Sequence, residues 1–340
     1  MKGGGHPSES TMKNQCVKML KYIKYWLETK KCFRPYFKYV LEQLGSHFRN
    51  DSHQKFSANV IMQTHVIEKG LSLKDIKPGY GVPKILKLLD DLKTFHQRYH
   101  DSDVCYFSLS VIQAYLDYQK SVGVENTEIL EKYKSLSDIL DAKGDRWELA
   151  GGGVKVSREE IQQDAKIDYL RFVKARHSIR NFTGEPVDRQ LICQALEMAK
   201  YTPSACNRQP WHDFVFTNKE NILKILDLQT GARQFKDDVG ALIIVTSSAN
   251  SFSINEFNQC YVNGGMYAMN LLFALHSLGL GAIPLNMGIP NDRLGEIMQF
   301  CRIPSSEAPI LLIAVGVISE HLAVAASRRF DYRKYTVFDQ

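Results

Sequence analysis

The sequence predicts a two-part chain: a mostly α-helical N-terminal domain over residues 1–150, then an α+β domain of layered helices and strands over 165–340. Three observations carry this reading. Apolar residues recur at steps of three and four through much of the first 150 positions, the period of a helix with one buried face. Ala150-Gly151-Gly152-Gly153 then reads as a flexible joint, with 151–164 as linker. Beyond it, strand-sized apolar runs at Trp211–Thr217, Ala241–Thr246 and Ile310–Val315 alternate with helical patterns, as in a layered fold.

A chain of 340 residues has room for two cores. With 44% hydrophobic and 24% charged residues, it falls outside fibrous and disordered compositions. Its longest apolar runs are too short to span a bilayer, and the opening MKGGGHPSES lacks the apolar stretch of a secretory signal. The seven cysteines, at 16, 32, 105, 193, 206, 260 and 301, form no CxxC pair or zinc-spaced cluster. They read as reduced thiols of a cytoplasmic protein, and no metal site is expected. Net charge is +6, with ten Lys/Arg against three Asp/Glu in the first 50 residues. No nucleic-acid-binding motif accompanies that basic region, so no nucleic-acid partner is expected.

Residues 16–45 have the pattern of a basic amphipathic helix, with Val17, Leu20, Ile23 and Leu27 on one face and Lys18, Lys21 and Lys24 on another. Pro35 is expected to break it before Tyr39, Val40 and Leu44 resume the pattern. The reading taken is a helix packed on its own domain with solvated lysines; a membrane surface or anionic partner is the alternative. In His65-Val-Ile-Glu68-Lys69-Gly70, Lys69 suits a helix C-terminus and Gly70 a left-handed cap. His65, Glu68 and Lys69 share a helical face: a surface ion pair is the plain reading, and a lid over a substrate cavity, together with the Gly79-Tyr80-Gly81 turn, is the alternative. Nothing nearby completes His65 and Glu68 as a metal site. Pro83 then opens a helix carrying Ile85, Leu88 or Leu89, Leu92 and Phe95, and further helical pattern fills 107–142. After the linker come a helix over 161–176, another over 188–200 capped by Asp188, and the longest candidate of this half, Ile254–Leu278, ending at Gly279.

Two clusters carry chemistry. In Arg176-His177-Ser178-Ile179-Arg180-Asn181-Phe182, two arginines flank a serine hydroxyl, a set suited to phosphate oxygens, although the same run also fits a solvated turn. In Thr202-Pro203-Ser204-Ala205-Cys206-Asn207-Arg208-Gln209-Pro210-Trp211, small residues allow close approach of a flat ring, and Asn207 and Gln209 offer amide donors and acceptors. A rigid polar loop is the plain alternative.

Together these two runs resemble the Arg-x-Ser-x-Arg/Lys and Pro-Ser-x-x-Asn-x-Gln-Pro-Trp motifs of the nitroreductase family. Ser277–Gly288 is similar to that family's helix end, strand and loop beneath its flavin, and Ser327-Arg328-Arg329 to its basic clamp. The resemblance covers roughly 165–335 and implies a three-layer α-β-α fold, FMN, and NADH or NADPH as electron donor. It implies phosphate contacts from Arg176, Ser178, Arg328 and Arg329, with His177 acting through its backbone. Arg180 would face N1 and the C2 carbonyl of the ring, and Asn207, with Gln209 nearby, its pyrimidine edge. Pro203, Ser204 and Ala205 would reach the flavin of the other subunit, while Pro284, Leu285 and Gly288 would shape the site near N5. A homodimer with FMN at its interface follows, passing electrons to a nitro, quinone or other small acceptor. No protein side chain is assigned catalysis, because the cofactor carries the chemistry. Cys206 stands where the family commonly has a small hydroxyl residue and Asn286 where many members have an acid, which leaves substrate choice open; Cys206 reads as inert. Alternatives are a metabolite-specific flavin-dependent oxidase or dehydrogenase, a reductive dehalogenase of the same fold, and a flavin-holding scaffold.

Overall fold

The computed structural model describes residues 9–46, 50–140, 150–256 and 258–339. The expectation about the opening segment falls mainly on residues outside these, as does the end of the helical pattern predicted for 107–142.

Helix α1 spans Glu9–Ser46 without interruption, in place of the break expected at Pro35. Proline lacks the N–H that would bond the carbonyl four residues back. That carbonyl belongs to Lys31, and it accepts a 2.6 Å hydrogen bond from the side-chain amide of Asn291. A second expectation also changes. Met19, Ile23, Trp26 and Leu27 are 62%, 44%, 50% and 50% exposed, so along this stretch α1 does not bury its apolar face in its own domain.

Helices α2 (His53–Leu71), α3 (Val82–Tyr99), α4 (Ser102–Ser121) and α5 (Thr127–Ile139) form a helical unit. Ser52, Asp101 and Asn126 each accept backbone N–H bonds at a helix start, satisfying donors a helix cannot pair internally. Phe56, Val60, Leu88, Leu92, Phe95, Ile112, Tyr115 and Ile129 make its core. Burying each such side chain contributes roughly 1.5–3 kcal/mol before the entropy of ordering it.

Gly70, expected to cap α2, lies inside it. A Cβ there would stand 2.3 Å from the Tyr80 ring, so glycine is required for close approach. The Tyr80 hydroxyl donates to the Ile67 carbonyl at 3.0 Å, and the Tyr115 hydroxyl donates to the Tyr80 carbonyl at 2.9 Å. The Gly79-Tyr80-Gly81 turn is thereby clasped between α2 and α4. The glycine run is also held: Gly151 N–H donates to Ser110 Oγ at 2.7 Å and Gly152 N–H to Glu68 Oε1 at 3.1 Å. The single helix expected over 161–176 divides into α6 (Arg158–Asp164) and α7 (Tyr169–Ala175), because Asp168 caps a new start by accepting from Arg171 N–H.

The remaining elements are α8 (Arg189–Ala199), β1 (Trp211–Phe216), α9 (Lys219–Gln229), β2 (Ala241–Ser248), α10 (Gln259–Ser277), β3 (Leu280–Asn286), α11 (Asn291–Phe300) and β4 (Glu307–Val317). The strands form one antiparallel sheet in the order β1-β2-β4-β3. Every residue of β2 is buried, because both faces are covered. Ala241, Ile243 and Val245 pack with Ala195 of α8 and Leu271 and Leu275 of α10. Leu242 and Ile244 pack with Ile222 and Leu226 of α9 and Ile297 of α11. The result is three layers, helix on sheet on helix.

The helical unit rests on this domain through α2. Gln54 accepts from Asn250 Nδ2 at 3.4 Å, and its own amide donates to Glu307 Oε1 at 3.5 Å. Among the described residues no helix is long and apolar enough to cross a membrane.

Candidate functional site

The segment after α7 runs beside β3. Ser178 pairs in parallel with Ala282 in an isolated bridge, and Ile179 N–H donates to the Ala282 carbonyl at 3.2 Å. Phe182 fixes the far end: its ring packs so closely on Gly316 that a Cβ there would lie 2.6 Å away. With Ile179 and Phe182 in the core, Arg176 and Ser178 are half-buried and His177 and Arg180 exposed.

Arg176 lines a cavity of about 50 Å³ with His177, His276 and apolar residues of α10 and β3. Its Nη1 is buried with no hydrogen-bond partner among the described residues. Burial, and then the charge of nearby Arg329, lowers the pKa of this guanidinium. Burial also lowers that of His276; a hydrogen bond with the Phe172 backbone opposes this, and the Arg176 charge adds to it. Among the described residues no acid lines the cavity. A buried guanidinium nitrogen without a partner, in a cavity no acid lines and with the charge of Arg329 nearby, fits an anion such as a phosphate. Arg328 and Arg329 lie on an exposed stretch, where Arg329 donates to the Ser327 carbonyl.

The second cluster is strained. Cys206, Asn207 and Gln209 have φ of 54°, 53° and 48°, a left-handed conformation costly for side chains other than glycine and, less so, asparagine. The loop is held by Ala205 N–H donating to Asn263 Oδ1 at 2.7 Å and Gln209 N–H to Ser204 Oγ at 3.0 Å. Backbone strain over-determined by its surroundings is typical of a binding loop. Cys206 is a half-buried free thiol.

The structure does not gather the two clusters at one point in a single chain. The loop is anchored to Asn263 near the start of α10, whereas Arg176 sits with His276 near its end. Those anchors are roughly 20 Å apart at 1.5 Å per helical residue. Pro284 and Leu285 lie on β3, beside the arginine segment. Leu285 points into the sheet core, so its backbone alone is available. Gly288 N–H donates to Asn286 Oδ1 at 3.1 Å.

Sequence reasoning quoted Arg208 within its motif and gave it no role. It is 7% exposed and makes a two-pronged ion pair with Glu256, both contacts at 3.0 Å. It also donates to the Ser251 carbonyl at 2.9 Å and touches Met62 of α2. Burial raises the Glu256 pKa, but hydrogen bonds from Arg208 and Ser253 outweigh it and the net shift is down. A second missed pair is Asp213 and Tyr267, whose hydroxyl donates to Asp213 Oδ2 while its ring stacks on Trp211 at 4.7 Å. Burial pushes the Asp213 carboxyl up to about 6, against the lowering effect of the Tyr267 bond. An acid within the strand-sized run Trp211–Phe216, where His212 is the only other polar residue, was the available signal. His65 and Glu68 form the expected pair at 3.1 Å, and Glu68 is also used to hold Gly152.

The profile described as the nitroreductase family matches residues 173–255 and 227–317. A Methanothermobacter thermautotrophicus protein provisionally named NADH dehydrogenase/NAD(P)H nitroreductase is 32% identical over 169 residues, covering 49% of this chain and 86% of that protein. The FMN reductase [NAD(P)H] of Bacillus subtilis is 23% identical over 165 residues, 44% of this chain and 65% of that one. A solved structure described as a provisional nitroreductase in complex with FMN, from Desulfovibrio desulfuricans, aligns at 19% identity with a TM-score of 0.45, over 52% of this chain and 99% of the other. With the two motifs on the described scaffold and a relative of this identity matched along most of its length, the chain belongs to the nitroreductase family.

Proposed function

We propose that this protein is an FMN-dependent oxidoreductase that takes electrons from NADH or NADPH and passes them to a nitro compound, a quinone or another small acceptor. The observation that carries the reading is the buried, unpartnered Nη1 of Arg176 beside Arg329. A buried cationic nitrogen of this kind is costly without an anion and favourable with one. Arg176, Ser178 and Arg329, with Arg328 and the backbone of His177, would hold the phosphate. Arg180 would stand at the N1 and C2-carbonyl edge, where a cation favours the reduced ring. Asn207 and Gln209 would pair with the polar edge, and the backbones of Pro284, Leu285 and Gly288 would shape the space near N5. Bound FMN would supply hydride acceptance and donation at N5.

The separation along α10 supports a homodimer in which Pro203, Ser204 and Ala205 meet the flavin held by the other subunit's arginines. Exposed Phe330, Tyr335, Val337 and Phe338, at 74%, 73%, 87% and 71%, offer apolar area for such an interface.

The test is direct. Purified protein should be yellow and release FMN, not FAD, on denaturation, and should consume NAD(P)H when a quinone or nitroarene is added. A colourless protein that ignores added FMN sinks the proposal. A metabolite-specific acceptor is the second reading, favoured by α2 packing on the Ala205–Asn207 turn and by the Met62–Arg208 contact. Met62→Ala should then alter the ranking of acceptors while leaving FMN content unchanged.

A further inference from the structure

The oxidoreductase reading leaves α1 without a task. Its Glu9–Lys31 stretch carries six Lys against two Glu. At about 100° per residue, Met19, Ile23, Trp26, Leu27, Phe37 and Leu41 share an arc roughly 100° wide, whereas Lys18, Lys21, Lys24 and Lys31 occupy the opposite side. Both arcs face solvent: those apolar residues are between 44% and 62% exposed, and the four lysines are exposed as well. Tyr22, 74% exposed, falls at the boundary between them.

The C-terminal part of α1 is seated on the catalytic domain. Asn291 holds the Lys31 carbonyl, and Phe37 and Leu41 line a groove with Leu294, Met298 and Ile303. The N-terminal stretch, roughly 30 Å of helix before Lys31, is the part whose apolar arc is left open.

We propose that this stretch of α1 lies in the surface of an anionic lipid bilayer, with its apolar arc among the upper acyl chains and its lysines at the headgroups. Charge selects this occupant. Lys30 lies on the apolar arc, with its ammonium 3.6 Å from the centre of the Trp26 ring. A protein seam would have to bury that charge, and a second copy would bring its own lysines alongside. A headgroup layer lets Lys30 reach outward along the indole and pairs every lysine with a phosphate. Tryptophan and tyrosine favour that interfacial depth. The helix is too charged to cross the bilayer, which leaves the in-plane arrangement.

The test uses the full chain and sedimentation with vesicles of phosphatidylcholine alone or mixed with phosphatidylglycerol. Binding is expected with the mixed vesicles at 0.1 M salt and should be lost at 0.5 M. The combined Lys18→Gln, Lys21→Gln, Lys24→Gln variant should bind about a hundredfold more weakly, at about fivefold per lysine. Met19→Ser with Ile23→Ser should abolish binding with no change of charge. Absence of binding to the mixed vesicles, equal binding to both vesicle types, or binding unaffected by salt overturns the proposal, and none of these requires a variant. A fourth adverse result is that Met19→Ser with Ile23→Ser changes the oligomeric state by light scattering and leaves vesicle binding intact. That outcome would assign the face to a second copy of the chain.

Discussion

The Asn291 amide supplies the Lys31 carbonyl with the donor that Pro35 cannot, and so carries α1 across a proline. This relationship makes a coupled prediction. Asn291→Ala should speed amide exchange over Lys31–Tyr39 by about fivefold, the equivalent of roughly 1 kcal/mol for a lost neutral hydrogen bond. Pro35→Ala restores the helical donor, and in that background Asn291→Ala should have almost no effect. Equal effects in both backgrounds, read by hydrogen-exchange mass spectrometry, would contradict the pairing.

Arg176→Ala and Arg329→Ala should each weaken FMN binding by about 1.5–3 kcal/mol, the range for a hydrogen bond to a charged group. Because both would serve one phosphate, the double variant should lose less than the sum. The flavin-free protein should respond oppositely: Arg176→Ala removes a desolvated cation without a partner and should leave thermal stability unchanged or raised. Fluorescence titration of FMN and calorimetry of the apoprotein separate the two effects.

Arg208→Met should destabilise the fold by about 3 kcal/mol, since it leaves the Glu256 carboxylate half-buried and unpaired. The Glu256 pKa is lowered in the fold, so the stabilisation from this pair is present above the ordinary carboxylate range and is lost as pH falls through the lowered value. Urea unfolding of parent and variant should therefore diverge at neutral pH and converge in acid.

Asp213 has the opposite sign. Its carboxyl titrates near 6 in the fold against an ordinary value of 3.8, so the folded state holds the proton more tightly than the unfolded chain does. The stability this contributes is fully present below about pH 4 and is lost as pH rises through 6. Relative to Asp213→Asn, the parent should lose about 3 kcal/mol between roughly pH 3.5 and 7, because each tenfold difference in proton affinity is worth about 1.4 kcal/mol. A flat difference across that range would show that the carboxyl is not desolvated.

The parts legible in the sequence were those in which local chemistry and global role coincide. The runs from Arg176 and from Thr202 were legible as family motifs because their residue types and order are those of the family to which the chain belongs, and β2 was legible because burial on both faces made it uniformly apolar. Strand β3 was legible only through its resemblance, since Gly281 and Pro284 interrupt its pattern; as a sheet edge it tolerates proline. Pro35 was misread because its compensation lies 260 residues beyond Lys31. Gly70 was misread because the ring that demands it arrives from the next turn. Arg208 and Asp213 had no visible role, since their partners Glu256 and Tyr267 are distant in sequence and become neighbours only on folding.

In the proposed flavin site, the left-handed backbone at Cys206, Asn207 and Gln209 would tie durability to affinity. Cys206 and Gln209 each forgo roughly 1–3 kcal/mol that glycine would recover, and Asn207 less. Glycine would also release the loop in the ligand-free state, so that binding would have to freeze it again. Selection for heat resistance alone would push these positions toward glycine, and selection for a tightly held ligand would push them back. As the flavin-binding loop proposed above, it would accept a less stable chain in exchange for a surface already shaped before the ligand arrives.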